Sequence, residues 1–285
     1  MDCVDEHIIE AIGKTRVVIR NGRVVFVGSP LIRECPLARK FAVSVDPISA
    51  DAIRANIEER IRSFGMCTKD RDVLCDRDFV LFGASELLGS GIKSGMIDSV
   101  VLVCDGAGTL VTDKPAMVQG IGGRMSGLVK TSPIQEVIGR IEENGGRVVF
   151  PDTAVIDQAC GVDAAYNMGY NHVAVTVATP DDAEIIREKY PETVIVGVHV
   201  TGLGKDEAER LVDLCDLVYS CASGHIRSYA GRSALIQGGT AIPVFAMTKA
   251  GKKIIVSKIK KTGSQILVKG EALPFSGPNM PSPLI

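Results

Sequence analysis

Tryptophan is absent from the 285-residue chain, and aromatic residues make up only 5% of it. That excludes the stacking platforms on which single-stranded nucleic acid is held. Charge of one sign is lacking too. Lysine and arginine number 32 against 34 acidic residues, so no basic surface for nucleic acid or anionic lipid is expected. No apolar run approaches the roughly 20 residues that span a bilayer. The acidic start MDCVDEHIIEAIGK lacks the basic-then-apolar pattern of a signal peptide. These absences predict a cytoplasmic protein with no nucleic-acid or membrane partner.

Two motif absences narrow the chemistry. None of the eight cysteines forms a Cys-x-x-Cys pair, which argues against a zinc finger or a thioredoxin-like site. None of the four histidines forms the His-x-His pair of metal-dependent amidohydrolases. Eight cysteines is nonetheless a high count for a reducing compartment, where disulfides do not explain them. Most are expected as small buried hydrophobes.

What is present is a core-forming chain, with hydrophobic residues at 46%. Residues 15–28 place two β-branched runs around Asn21-Gly22, a hairpin signal. Helices are expected over 47–64, where Ile53, Ile57, Ile61 and Phe64 share a face, and over 77–94. From residue 98 short apolar runs alternate with amphipathic stretches. The expected strands are Ser99–Cys104, Arg147–Phe150, His172–Ala178, Thr193–Val200, Leu217–Cys221 and Pro243–Met247. Ser132-Pro133 and Thr179-Pro180 each offer a capping hydroxyl followed by Pro at the first helical position. Ala208, Leu211, Val212 and Cys215 form one apolar helix face.

The alternation predicts an α/β fold: a mostly parallel sheet with flanking helices, doubly wound by preference, with a (β/α)-barrel as the alternative. The expected organisation is a hairpin-and-helix unit over 1–95, the α/β core over 96–262, and a short strand pair with a Pro-rich tail over 263–285.

Both parallel architectures place ligands at the C-terminal ends of the strands. Cys104, Asp105, His199 and Cys221 are therefore the candidate catalytic residues. Gly106 and Gly108, with Ser223, His225 and Arg227 at the start of a helix, are candidate binding residues, the arginine suiting an anion. The run Gly120-Ile121-Gly122-Gly123-Arg124-Met125-Ser126-Gly127 reads as an anion cradle or a mobile loop, with Gly122, Gly123, Arg124 and Ser126 as its binding groups. Cys35, Cys67, Cys104 and Cys221 can supply the four thiolates of an iron–sulfur cluster or bind another thiophilic metal. The simpler reading is that Cys35 and Cys67 are ordinary loop cysteines.

Five segments together carry a resemblance: TRVVIRNGRVVFVGSPLIRECPL, FGMC, VLVCDGAGT, VQGIGGRMSGL and SCASGHIR. The chain resembles methanogenesis marker protein 8, a family found mainly in methanogenic archaea, from about His7 to Lys252. The resemblance implies a cytoplasmic protein of an anaerobe, linked to methanogenesis or to maturing its enzymes. It transfers no catalytic residue. Three functions follow as expectations: a metal- or iron–sulfur-binding maturation factor, a thiol-dependent enzyme acting on a small anionic molecule, or a non-catalytic binding protein within a methanogenesis-related protein complex.

Overall fold

In a computed structural model that describes residues 5–124 and 127–285, the chain begins with alternation. β1 (Glu6–Ala11) buries His7, Ile9 and Ala11 and leaves the residues between them less covered. β2 (Thr15–Arg20) pairs antiparallel with it, and β3 (Arg23–Val27) closes the expected hairpin. Asn21 and Gly22 both adopt positive φ, 48° and 70°, as a type I′ turn requires. α1 (Ala50–Phe64) starts three residues later than the sequence suggested, because Ser49 is the residue whose hydroxyl accepts from the Ala52 N–H. Its buried Ile53 and Ile57 join Ile9, Val17 and Ile19 in one apolar cluster.

α2 (Ala84–Lys93) is shorter than the expected 77–94. The Glu86 carboxylate accepts from the Phe79 and Val80 N–H groups, and Asp78 pairs with Lys258, which holds the preceding stretch outside the helix. The remaining elements are β4 (Ser99–Cys104), β5 (Gly108–Thr112), α3 (Pro115–Gly122), β6 (Gly127–Lys130), α4 (Gln135–Glu143), β7 (Arg147–Val148), α5 (Gln158–Asn167), β8 (Val173–Val177), α6 (Pro180–Lys189), β9 (Val194–Gly197), α7 (Lys205–Leu214), β10 (Leu217–Tyr219), α8 (Gly224–Ser233), β11 (Ile236–Gly238), β12 (Val244–Ala246) and α9 (Lys249–Lys261). Thr179 caps α6 as expected, with Pro180 at its first position. Ser132 does not cap α4. Its hydroxyl is engaged by the Glu6 backbone, as acceptor from the N–H and donor to the carbonyl, and this ties β1 to the segment after β6.

Two sheets result. The smaller, in order β3-β2-β1-β6, is antiparallel throughout. It draws β6 from beyond residue 96, so the N-terminal unit is not contiguous in sequence. The larger runs β11-β12-β10-β9-β8-β4-β5-β7. Its four central strands β10, β9, β8 and β4 are parallel, while the flanking pairs are antiparallel. The expectation of a mostly parallel sheet is thus corrected to a mixed one. Gly106 and Gly108, at φ 83° and 65°, turn β4 straight back as β5. β11 and β7 remain unpaired with each other, so the sheet is open and the barrel alternative falls.

Each central strand is apolar on both faces. Val100 and Leu102, Val194 and Val196, and Leu217 pack with α2, α3, α4 and α9. Val101, Ile195 and Val218 pack with α5, α6, α7 and α8. The large sheet is therefore the middle layer of three, and its continuous apolar strands follow from that position. Cys215, 1% exposed, belongs to this core as expected. Residues 263–285 form no strand pair. Ser282 makes a single antiparallel bridge to Glu34 instead. Among the described residues no helix is long and apolar enough to cross a membrane.

The glycine run is also corrected. Gly120 and Gly122 lie inside α3, Gly123 is its C-cap and Gly127 opens β6, so the first part of the run is helix. Gly120 is there for close packing. A Cβ on it would stand 2.3 Å from the Val73 carbonyl oxygen. Gly120→Ala is expected to lower the unfolding free energy by about 3 kcal/mol, the upper end of the overpacking range. At Gly122 the nearest atom to an added Cβ is 3.5 Å away. Gly122→Ala should leave stability level or raise it by up to about 1 kcal/mol. Chemical denaturation of the two variants checks both, and equal losses would refute the packing account. Ser126, the last candidate of that run, lies outside the described residues.

Candidate functional site

The parallel strands β4, β8, β9 and β10 end on one edge, and the small sheet lies against it. Four contacts make the junction. Gly106 N–H donates to Thr131 Oγ1 at 2.7 Å, and the same hydroxyl meets His7 Nδ1 at 2.6 Å. Lys14 Nζ donates to the Thr201 carbonyl at 2.8 Å. A Cβ placed on Gly127 would lie 3.2 Å from Glu10 Cβ, its cross-strand partner, and 3.5 Å from His199 Cγ, so β6 packs closely on the His199 loop.

The candidate residues fall into two groups along this edge. The first surrounds Asp105, which is fully buried. Its Oδ2 accepts from the Cys67 N–H at 2.5 Å, and its Oδ1 accepts from Arg71 Nε at 2.9 Å, an ion pair buried on both sides. Burial pushes the Asp105 carboxyl up, but Arg71 and the Cys67 N–H outweigh it and hold it below the ordinary carboxylate range. Cys67 and Cys104 share the cluster and are 0% exposed. Burial raises both thiols, reinforced by Asp105. These two cysteines are neutral packing groups at neutral pH, and Asp105 is an anchor for Arg71.

The second group lies two and three strands away. His199 and Cys221 follow β9 and β10, and both take positive φ, 57° and 45°. Such angles are costly for side-chain-bearing residues and concentrate where structure holds a group for use. The His199 side chain is exposed, whereas Cys221 is half-buried. The backbone amides of Val200 and His199 favour the Cys221 thiolate. Burial nevertheless raises the Cys221 thiol, and these amides only oppose it. Cys35, on the loop beside it, is raised by burial against amides of Leu37 and Ala38 and the nearby Arg227.

Arg227 itself is 4% exposed. Its Nη2 donates to the Cys221 carbonyl at 3.1 Å and the Ala241 carbonyl at 2.8 Å. Its Nε and Nη1 are buried with no hydrogen-bond partner. Burial lowers its pKa, and the groups that oppose this are two thiols, Cys221 and Cys35, with no carboxylate among them. Ser223 caps α8 by accepting from the Ile226 N–H at 3.3 Å, and His225 is exposed at the helix start. Arg124 pairs with Asp72 at 2.7 Å and lies over the Phe64 ring, away from this group.

The four candidate metal cysteines are not gathered. Cys67 interacts with Cys104, and Cys221 with Cys35. Among the described residues no three or more His, Cys, Asp or Glu side chains stand together as a metal site. Sequence reasoning missed Glu10, Lys14, His7 and Arg71. No local motif marks them, because their roles come from the docking of one sheet on the other.

Burial lowers the pKa of His7, which is 0% exposed, so the folded protein holds this imidazole neutral. The unfolded chain then binds more protons on acidification. Stability from this source is full above about pH 6.5, the unfolded value, and is lost as pH falls below it. Urea midpoints at pH 7 and pH 5 should show the loss. His7→Asn should reduce it, and an unchanged dependence on pH in that variant would contradict the assignment for His7.

Fold and site together define an open three-layer α/β protein whose C-terminal strand edge is capped by a small antiparallel sheet. The chain belongs to the family described as "Uncharacterized protein conserved in archaea (DUF2099)", whose model matches residues 7–260. It is 42% identical over 285 residues to "Uncharacterized protein MJ0054" of Methanocaldococcus jannaschii, covering 99% of this chain and 100% of that one. No solved structure matches it.

Proposed function

We propose that the protein binds a small anionic molecule, a carboxylate or phosphate, at the C-terminal edge of the large sheet, with Arg227 as its counter-charge. One observation carries the reading: a guanidinium buried without an acidic partner and with two donors unused. Arginine stays charged, so leaving that charge unpaired out of water costs several kcal/mol, and a bound anion removes the cost. Cys221 lies beside it with its thiol raised by burial. It supplies a weak proton donor to the ligand. A raised thiol is a poor nucleophile, so recognition is favoured over thiolate catalysis. A setting in methanogenesis, as the five-motif resemblance suggests, is part of this proposal, with the protein acting as a binding component beside those enzymes.

The test is thermal unfolding with inorganic phosphate, malonate and citrate for the intact chain, for Arg227→Met, and for Arg23→Met as a control on the exposed hairpin. At least one anion should raise the midpoint saturably in the wild type and the control and fail to do so in Arg227→Met. Equal stabilisation of all three proteins, or of none, would overturn the reading.

A further inference from the structure

A cavity of about 390 Å³ lies on the opposite helical layer from Arg227, between α2, α3 and the end of α9. It is independent of Arg227. Its floor carries two side chains with unused polar atoms. Gln119, 5% exposed, has Oε1 without a partner, and Ser90, 7% exposed, has Oγ without one. The orientation of Gln119 is fixed. Its Nε2 donates to Glu86 Oε1 at 3.0 Å, and flipping the amide would set oxygen against carboxylate oxygen. Glu86 is itself committed, accepting from the Phe79 and Val80 N–H groups and from Ser85 Oγ at 3.0 Å. The carboxylate therefore presents Gln119 Oε1 as a preset acceptor. Lys93 and Lys261 line the cavity and are exposed, with Asp76 as the one further carboxylate there, while Lys258 is occupied by Asp78 and Glu86 by its own donors.

We infer that this cavity is a second ligand site, for a small molecule with a neutral N–H or O–H head and an anionic group. The head donates to Gln119 Oε1 and meets Ser90 Oγ, and the anionic group faces Lys93 and Lys261. A buried acceptor that is held in place but left unused is a cost in the free protein that a donor-bearing ligand removes. The size is within the range of small-molecule sites.

The experiment is calorimetric titration with uridine 5′-monophosphate and N-acetylglutamate, which carry both features, and with inorganic phosphate, which lacks the head. Saturable binding of at least one of the first two is expected, about tenfold weaker in Ser90→Ala, the loss of one hydrogen bond. It should also weaken in Lys93→Gln and persist in Arg227→Met, which separates this site from the strand edge. Ser90→Ala should unfold no earlier than the wild type, because the hydroxyl it removes has no partner in the free protein. Absence of saturable binding by either probe overturns the assignment. So does binding unchanged in Ser90→Ala, or lost in Arg227→Met.

Discussion

Asp105→Asn is expected to lower the unfolding free energy by about 3–5 kcal/mol, the range for breaking a buried ion pair from one side. The size follows from what the carboxylate holds. Arg71 and Asp105 are each 0% exposed, so the arginine left behind has no water to turn to. Arg71 Nη1 stays bonded to the Gly120 carbonyl at 3.2 Å, but Nη2 is already without a partner and Nε loses its acceptor. The Cys67 N–H is lost as well if the Asn amide turns its NH₂ toward it, and Arg71 faces the NH₂ if it turns the other way. One uncharged amide cannot accept from both. The site joins three parts of the chain: β4, the loop after α1, and α3 through Gly120. The loss should therefore be global, seen as a lower denaturant midpoint with little change in slope. Arg71→Met in the Asp105→Asn background should restore part of it, since no buried charge then remains. A fall below about 1 kcal/mol in the single variant would mean that the pair is solvated, contrary to its burial. The same pair sets an acid limb. Because the folded carboxyl lies below its ordinary range, its stabilisation is present above about pH 4, the unfolded value, and is lost as pH falls through the lower folded one.

Much of the architecture was legible because local physics and global fold agree there. Strands buried on both faces read as continuous apolar runs, and Val173–Val177 and Val194–Gly197 were placed to within two or three residues. Thr179-Pro180 was read correctly because its hydroxyl has only its own helix to serve. Ser132-Pro133 carries the same signal, but a long-range partner at Glu6 takes the hydroxyl. β5 went unread for a different reason. Its glycines looked like a strand-end loop, while their positive φ values are what fold the chain back into a hairpin. β1 was hidden inside an acidic terminus. The strand-edge rule did reach His199, Cys221 and Arg227, because it needs only the direction of the strands. It could not distinguish Asp105, which is used up by Arg71, from Arg227, which is not. That difference depends on which residues the small sheet and its loops bring over the edge.

The two arginines thus make opposite predictions, and the second concerns Arg227. Its replacement by Met is expected to leave the unfolding free energy of the free protein within about 1 kcal/mol of wild type, or to raise it. Replacing buried charge by an apolar chain of similar size is often neutral or stabilising, and here no partner charge is stranded. The opposing loss is modest. The Cys221 and Ala241 carbonyls give up one donor, at 3.1 and 2.8 Å. Each such neutral acceptor accounts for about 1 kcal/mol, which the relief of the unpaired guanidinium offsets. The same change should abolish stabilisation by the anion that binds the strand edge. At a ligand concentration 100 times its dissociation constant, that stabilisation is about 2.7 kcal/mol in the wild type and should vanish in the variant. A residue that can be removed at no loss of fold but with loss of ligand response is retained for binding. If Arg227→Met instead unfolds as easily as Asp105→Asn and responds to anions as the wild type does, Arg227 is structural and is not the counter-charge of a bound anion.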